Sequence, residues 1–277
     1  MFCRMITTIG KLWNEAAPGI GTAIFYKELY QGTNGAVLLK EVIPVGLFYE
    51  ADKTFEDIMK EKRNFVFIGE AGSGKSEIVL NVANKLAQAT GKKVDLFDLD
   101  QTKPLYRSRD MKDDFASRGV EIHYQDQYLD APVMVGGVRV SLVSDAYTLL
   151  DIGGGHQAAK FAGAYSDLLS KDDAVPVYVV NPYRPWTKSV DAIDGTMRHI
   201  LGSMRLDHIY ILGNPTLGYA TTANEFMAGL DRLDELFDGF TVVNSACVRR
   251  EILDEVRDRT DKTLIPLDLF LTYSWVY

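Results

Sequence analysis

Five residues of this 277-residue chain have the types and spacing to handle phosphate: a lysine, a serine and three aspartates, each at the end of an apolar run. Lys75 and Ser76 close the stretch Gly69-Glu70-Ala71-Gly72-Ser73-Gly74-Lys75-Ser76, which fits the phosphate-binding (Walker A) pattern Gly-x-x-x-x-Gly-Lys-Ser. Glycines at this spacing let the backbone wrap a phosphate chain so that successive N–H groups converge on it. A helix starting there adds the positive end of its dipole. Lys75 would reach the β- and γ-phosphates as a point charge, and the Ser76 hydroxyl would coordinate Mg²⁺. Gly69 to Glu77 are therefore the candidate nucleotide-binding residues.

Asp98-Leu99-Asp100 ends a second apolar run. Alternate strand residues share a face, so both carboxylates can project from one edge beside the loop. One would position or deprotonate an attacking water while the other holds Mg²⁺ through its hydration shell; otherwise the pair simply ends a strand in a polar loop. Asp151-Ile152-Gly153-Gly154 ends a third run. Its acid would face the metal, and Gly154 would let a backbone N–H approach the γ-phosphate, the makings of a hydrolysis-sensing loop. His156 either contacts the γ-phosphate when that loop closes or lies exposed. Arg107, Arg109 and Arg184 are either stabilisers of transition-state charge or solvated arginines. Tyr183 and Trp186, flanking Arg184, form either a partner-facing aromatic patch or ordinary packing.

These groups need a scaffold, and the apolar periodicity supplies one. Phe65-Val66-Phe67-Ile68 reads as a buried parallel strand, and Ser76 to Ala89 has apolar residues at helical spacing (Ile78, Val79, Val82, Leu86) before Thr90-Gly91. Further strands are expected at Val94–Leu99, Tyr147–Ile152, Val175–Val180, His208–Leu212 and Phe240–Val243. Helices are expected at Tyr165–Ser170, Lys188–Met204, Thr222–Phe237 and Arg249–Thr260. Such alternation implies an α/β fold with a doubly wound, mostly parallel sheet. Gly136-Gly137 within Val133–Val143 suggests an antiparallel pair.

Residues 1–60 differ in character. Asn34-Gly35 between two β-prone runs signals a hairpin, so a small β-rich N-terminal extension is expected ahead of a nucleotide-binding domain at 61–277. Thr54 can cap a helix running to Lys62, with Glu56 and Asp57 in its first turn. The apolar tail Leu264–Tyr277 either packs on the domain or docks a partner.

Composition excludes several classes. With 47% hydrophobic residues the chain can bury a full core. No run reaches the roughly 18 apolar residues of a membrane span, and the first residues lack a signal-peptide core, so a soluble cytoplasmic protein is expected. The two cysteines, Cys3 and Cys247, have no zinc-site or disulfide-framework spacing. A net charge of −8 without a long basic cluster argues against nucleic-acid binding.

The three acidic and glycine-rich elements, in this order over about residues 64–260, resemble the P-loop superclass containing the nitrogenase iron protein, the septum-site-determining and chromosome-partitioning ATPases, the arsenite-pump ATPase and metallocentre-maturation ATPases. The resemblance implies ATP and Mg²⁺ as cofactors, Asp100 as the water-orienting carboxylate with Asp98 beside it, and Asp151 to Gly154 as a second switch. It places Asn214 where such proteins read adenine, though Asn214 also suits a turn before Pro215. No Asn-Lys-x-Asp guanine reader is evident, which favours adenine. The chain departs from the group at Glu70, where many members carry a second lysine, and at Ala71, where a glycine is usual; a lysine exchange across a dimer is therefore in doubt. Neither cluster-bridging cysteines nor a Cys-x-Cys or His-rich nickel site has a counterpart. The implied function is an ATP-hydrolysing switch that assembles, delivers or positions an unidentified protein partner, with a homodimer as one assembly. A small-molecule kinase or ATP-dependent ligase, and a nucleotide-sensing binding module, are the alternatives.

Overall fold

The computed structural model describes residues 29–31, 37–39, 52–100, 107–125, 135–238 and 241–271. Leu29–Gln31 (β1) and Val37–Leu39 (β2) pair antiparallel with Gln31 opposite Val37, flanking the expected turn, whose Asn34-Gly35 lies outside the described residues. The other strands are Asn64–Ile68 (β3), Val94–Asp98 (β4), Val120–His123 (β5), Tyr147–Asp151 (β6), Ala174–Val180 (β7), Tyr210–Gly213 (β8), Ser245–Arg249 (β9) and Thr263–Leu267 (β10). They form one eight-stranded sheet in the order β5-β4-β6-β3-β7-β8-β9-β10. Every neighbouring pair is parallel.

The α-helices are Phe55–Glu61 (α1), Lys75–Thr90 (α2), Lys112–Ala116 (α3), Val138–Leu142 (α4), Gly155–Ala162 (α5), Ser166–Leu169 (α6), Val190–Met204 (α7), Ala223–Phe237 (α8) and Leu253–Val256 (α9). All five residues of β3 are buried, as befits a strand covered on both faces. Phe65 and Phe67 enter one core with α1 and α2, while Val66 and Ile68 enter the other with α5, α7 and α8. Helices on both faces of a parallel sheet make this a doubly wound α/β fold. The order places β6 and β7 on either side of β3, with β4 beyond β6, so the carboxyl ends carrying Gly69, Asp98 and Asp151 lie side by side.

Local chemistry accounts for the boundaries. The Thr54 hydroxyl accepts from the Asp57 N–H at 3.2 Å and starts α1 as expected. Gly91 ends α2 in the left-handed region at φ 63°, where the absence of a Cβ removes the penalty. Thr222 and Glu225 form a reciprocal capping box at the start of α8.

Four expectations need correction. The strand sought at Phe240–Val243 is instead Ser245–Arg249: Val242 is exposed, whereas the Ser-Ala-Cys-Val run is buried between β8 and β10. Packing overrides β-propensity there. No antiparallel pair occurs at 135–143; Gly137, at φ 86°, opens the short helix α4. The helix expected over Arg249–Thr260 is a chain of short turns, with α9 between two 3-10 segments. The strand placed at His208–Leu212 is Tyr210–Gly213. Strands β5 and β10 went unforeseen; β10 carries Pro266, tolerated because β10 is the sheet's edge. Cys247 is a free thiol buried in β9, and burial pushes its pKa up. Among the described residues no helix is long and apolar enough to cross a membrane.

Candidate functional site

The chain leaves β3 through Gly69, Gly72 and Gly74, whose φ values of 144°, 75° and 93° suit glycine far better than other residues. The loop's carbonyls are engaged one after another. Lys75 Nζ donates to Gly69 O at 3.2 Å and Glu70 O at 3.0 Å. Trp186 Nε1 donates to Ala71 O at 2.9 Å, Arg184 Nε to Gly72 O at 2.9 Å, and Asn214 Nδ2 to Ser73 O at 2.7 Å. Lys75 and Ser76 are buried at the start of α2. The Ser73 hydroxyl is buried inside the loop with no hydrogen-bond partner among the described residues. A glycine-built cradle with a buried lysine and such a hydroxyl fits a phosphate chain.

The acidic elements close on this loop. Asp98 and Asp151 are register partners at the ends of β4 and β6. Asp98, Asp100 and Asp151 are all buried. A Cβ on Gly153 would lie 2.7 Å from Asp100 Oδ1, and one on Gly154 would lie 2.9 Å from Ala71 N, so glycine is what lets the second loop touch both neighbours. Ser108 Oγ donates to Asp151 Oδ2 at 3.1 Å. Sequence reasoning missed Ser108; its one signal was a place between the two candidate arginines of the loop after β4. Hydroxyl and carboxylate oxygens of Ser76 and Asp151 are the hard donors Mg²⁺ prefers.

The arginines are spoken for differently. Arg109 Nε donates to Asp98 Oδ2 at 2.7 Å, and its Nη2 donates to Asp100 O at 3.0 Å. Asp98 Oδ1 accepts from the Asp100 N–H at 3.1 Å, so both Asp98 oxygens are engaged while Arg109 is in place. Tyr124 receives the Arg109 and Lys112 cations over its ring, each 5.3 Å from the centroid. Arg107 caps the turn Ser108–Met111 through Asp110. Tyr183 is half-buried, its hydroxyl donating to Glu225 O. Asn214 meets the phosphate loop itself, and a Cβ on Gly74 would collide with its amide at 2.2 Å. Glu70 is half-buried, and the side chain of His156 lies outside the described residues.

Glu77 turns to the C-terminal segment, accepting from the N–H groups of Phe270 at 2.6 Å and Leu271 at 3.1 Å. Asn81 holds Asp268 through both backbone groups, and Phe270 packs edge-on against Phe115. Burial pushes the Glu77 carboxyl up from 4.5 to about 7, against the lowering effect of those two N–H donors. The unfolded chain therefore ionises this group first, and the fold loses stability as pH rises from about 4.5 to about 7. Urea denaturation at about pH 5 and about pH 8 should show the wild type losing stability relative to Glu77→Gln at the higher pH. An equal difference at both would refute the burial effect.

Elsewhere, Asp95, Glu121 and His123 bring potential ligand atoms within 4.8 Å of one another. Lys93 Nζ already pairs with both carboxylates of that cluster, 3.0 Å from Asp95 and 2.8 Å from Glu121.

No family model matches the chain, and no curated protein does. Among solved structures it is similar to FtsY from Mycoplasma mycoides, at 14% identity and TM-score 0.43 over 65% of this chain and 58% of that one. It is also similar to the cell division protein FtsY from Thermotoga maritima, at 13% identity and TM-score 0.45 over 68% and 66%. A third is the 54 kDa signal recognition particle protein from Aeropyrum pernix in complex with GDP, at 14% identity and TM-score 0.36 over 78% and 49%. The chain thus spans from half to two thirds of the length of these structures. Likeness at this level assigns neither substrate nor partner, and by name none of the three belongs to the ATPase groups resembled above.

Proposed function

We propose that this chain is a Mg-ATP-binding and hydrolysing switch whose nucleotide-dependent change of shape is read by a protein partner that it assembles, delivers or positions. The observation that supports this reading is the contact of Gly154 with Ala71, with Asp100 against Gly153. A group entering the phosphate loop must disturb or tighten the loop after β6, and helix α5, which starts at Gly155, moves with it.

In this reading Gly69 to Ser76 and the backbone of Glu77 hold the triphosphate, with Lys75 supplying positive charge. Ser76 and Asp151 hold Mg²⁺, with Asp98 reaching it through the cation's hydration shell. The bound cation would neutralise charge developing on the phosphates. Asp100 orients or deprotonates the attacking water, and Gly154 offers its N–H to the γ-phosphate. Adenine is preferred because Asn214-Pro-Thr-Leu supplies neither the lysine nor the aspartate of a guanine reader. The reading keeps a β-rich extension within residues 1–60 ahead of the domain at 61–277, although α1 packs into that domain's core through Phe55, Ile58 and Met59. It allows a homodimer, places the protein in the cytoplasm, and takes the net charge of −8 to argue against nucleic acid as a partner.

Turnover of labelled ATP and GTP by the pure protein and by Asp100→Asn tests it. The variant should retain ATP but hydrolyse it at least about tenfold more slowly, because an amide cannot accept the proton. Wild-type hydrolysis by Asp100→Asn would remove that residue from the mechanism. Preferential use of GTP would overturn the adenine assignment. Phosphoryl transfer to a small acceptor faster than to water would make the protein a kinase instead.

A further inference from the structure

We infer that Trp186, with Arg184 beside it, is a positioning residue that holds the phosphate loop open to its ligand before the ligand arrives. The inference rests on the nucleotide reading above and adds residues that the Walker A pattern does not contain.

The two sides of a trans peptide unit point opposite ways, so anchoring a carbonyl also aims the following N–H. Trp186 anchors Ala71 O and thereby aims the Gly72 N–H away from the indole; Asn214 does the same for the Gly74 N–H through Ser73 O. Arg184 anchors the carbonyl between them, while the Ser73 N–H closes a turn onto Glu70 O at 3.2 Å. The guanidinium also packs on the bare Cα of Gly72, where a Cβ would lie 3.2 Å from Arg184 Nε. A loop with three glycines has many conformations to lose, and external donors that select one reduce the ordering needed at binding.

The donors sit on a stiff support. The single Thr187 O–H is shared between Asn181 O at 3.0 Å and Arg184 O at 2.8 Å, and the Tyr183 N–H donates to Asn181 Oδ1 at 3.1 Å. Asn181 Nδ2 then donates to Thr216 O at 2.8 Å, tying the loop after β7 to the loop after β8 that carries Asn214. All three carbonyl anchors thus belong to one braced unit on the far side of the phosphate loop from Asp100 and Gly154. Trp186 is 43% exposed, so removing its N–H should leave the core intact.

The chain has three tryptophans, and Trp13→Phe with Trp275→Phe leaves Trp186 as the sole indole. In that background, energy transfer from Trp186 to mant-ATP or mant-GTP is expected on binding. Trp186→Phe, in the otherwise native chain, should weaken mant-nucleotide affinity by about three- to tenfold through faster dissociation, as expected for loss of one hydrogen bond. Backbone amides of the loop should exchange with deuterium faster in the nucleotide-free variant, with exchange in β3 and β7 unchanged. Arg184→Met should act in the same direction through Gly72. Unchanged affinity together with unchanged loop exchange would overturn the inference. If the wild type binds neither nucleotide yet the loop amides of Trp186→Phe exchange faster, the clamp stands and the nucleotide reading falls.

Discussion

Lys75→Ala is expected to lower affinity for Mg-ATP by about ten- to a hundredfold, the range that loss of charge-assisted hydrogen bonds implies. Lys75 is 1% exposed, and its ammonium bonds the carbonyls of Gly69 and Glu70 at the mouth of the loop. A polyphosphate would offer this buried cation charged acceptors, whose hydrogen bonds are stronger than those to the two carbonyls. Alanine is the best helix former and sits at the first position of α2, so the helix should survive the change. Calorimetry with Mg-ATP reads the affinity, and a melting curve confirms the fold. Equal affinity for the two proteins would remove the phosphate from Gly69–Ser76.

Gly154→Ala should separate binding from turnover. The backbone at Gly154, φ −65° and ψ 138°, suits alanine, so the consequence comes from space alone. The added Cβ would lie 2.9 Å from Ala71 N, 3.1 Å from its Cα and 3.2 Å from its Cβ. Two of those atoms are backbone and cannot swing aside, so the loop after β6 must retreat from the phosphate loop. Nucleotide binding through Gly69–Ser76 should change little, while single-turnover hydrolysis should fall about ten- to a hundredfold, since misplacement by about 1 Å has that effect. Hydrolysis at the wild-type rate would mean that contact between the loops plays no part in the reaction.

The phosphate loop, the three carboxylates and the glycines after β6 were legible because each is a local pattern of residue type and spacing. The same holds for β3, β4, β6 and β7, whose apolar runs are bounded by turn residues, and for α2, α7 and α8, whose apolar faces repeat at helical spacing. β9 was not legible as such: its Ser-Ala-Cys-Val-Arg is a poor strand by propensity and forms one because β8 and β10 offer it partners. α4 looked like a hairpin because Gly136-Gly137 reads as a turn in either case.

By itself the sequence determined that a strand would deliver Gly69–Ser76 into a helix, and that acids would end two further strands at the same edge. Backbone preference, continuous apolar runs and 3.6-residue apolar spacing are properties of short segments, so no distant information was required. Only the tertiary structure decided which side chains meet. It gave Asp98 to Arg109, Asp151 to Ser108, and Glu77 to the backbone of Phe270 and Leu271. It also brought Trp186, Arg184 and Asn214, more than a hundred residues away in sequence, onto three successive carbonyls of the loop. The physical reason is that a parallel sheet pairs strands distant in the chain: β3 takes β6 and β7 as neighbours. Contacts between the loops at its carboxyl edge depend on that strand order and on where glycine leaves room, neither of which is a property of any one segment.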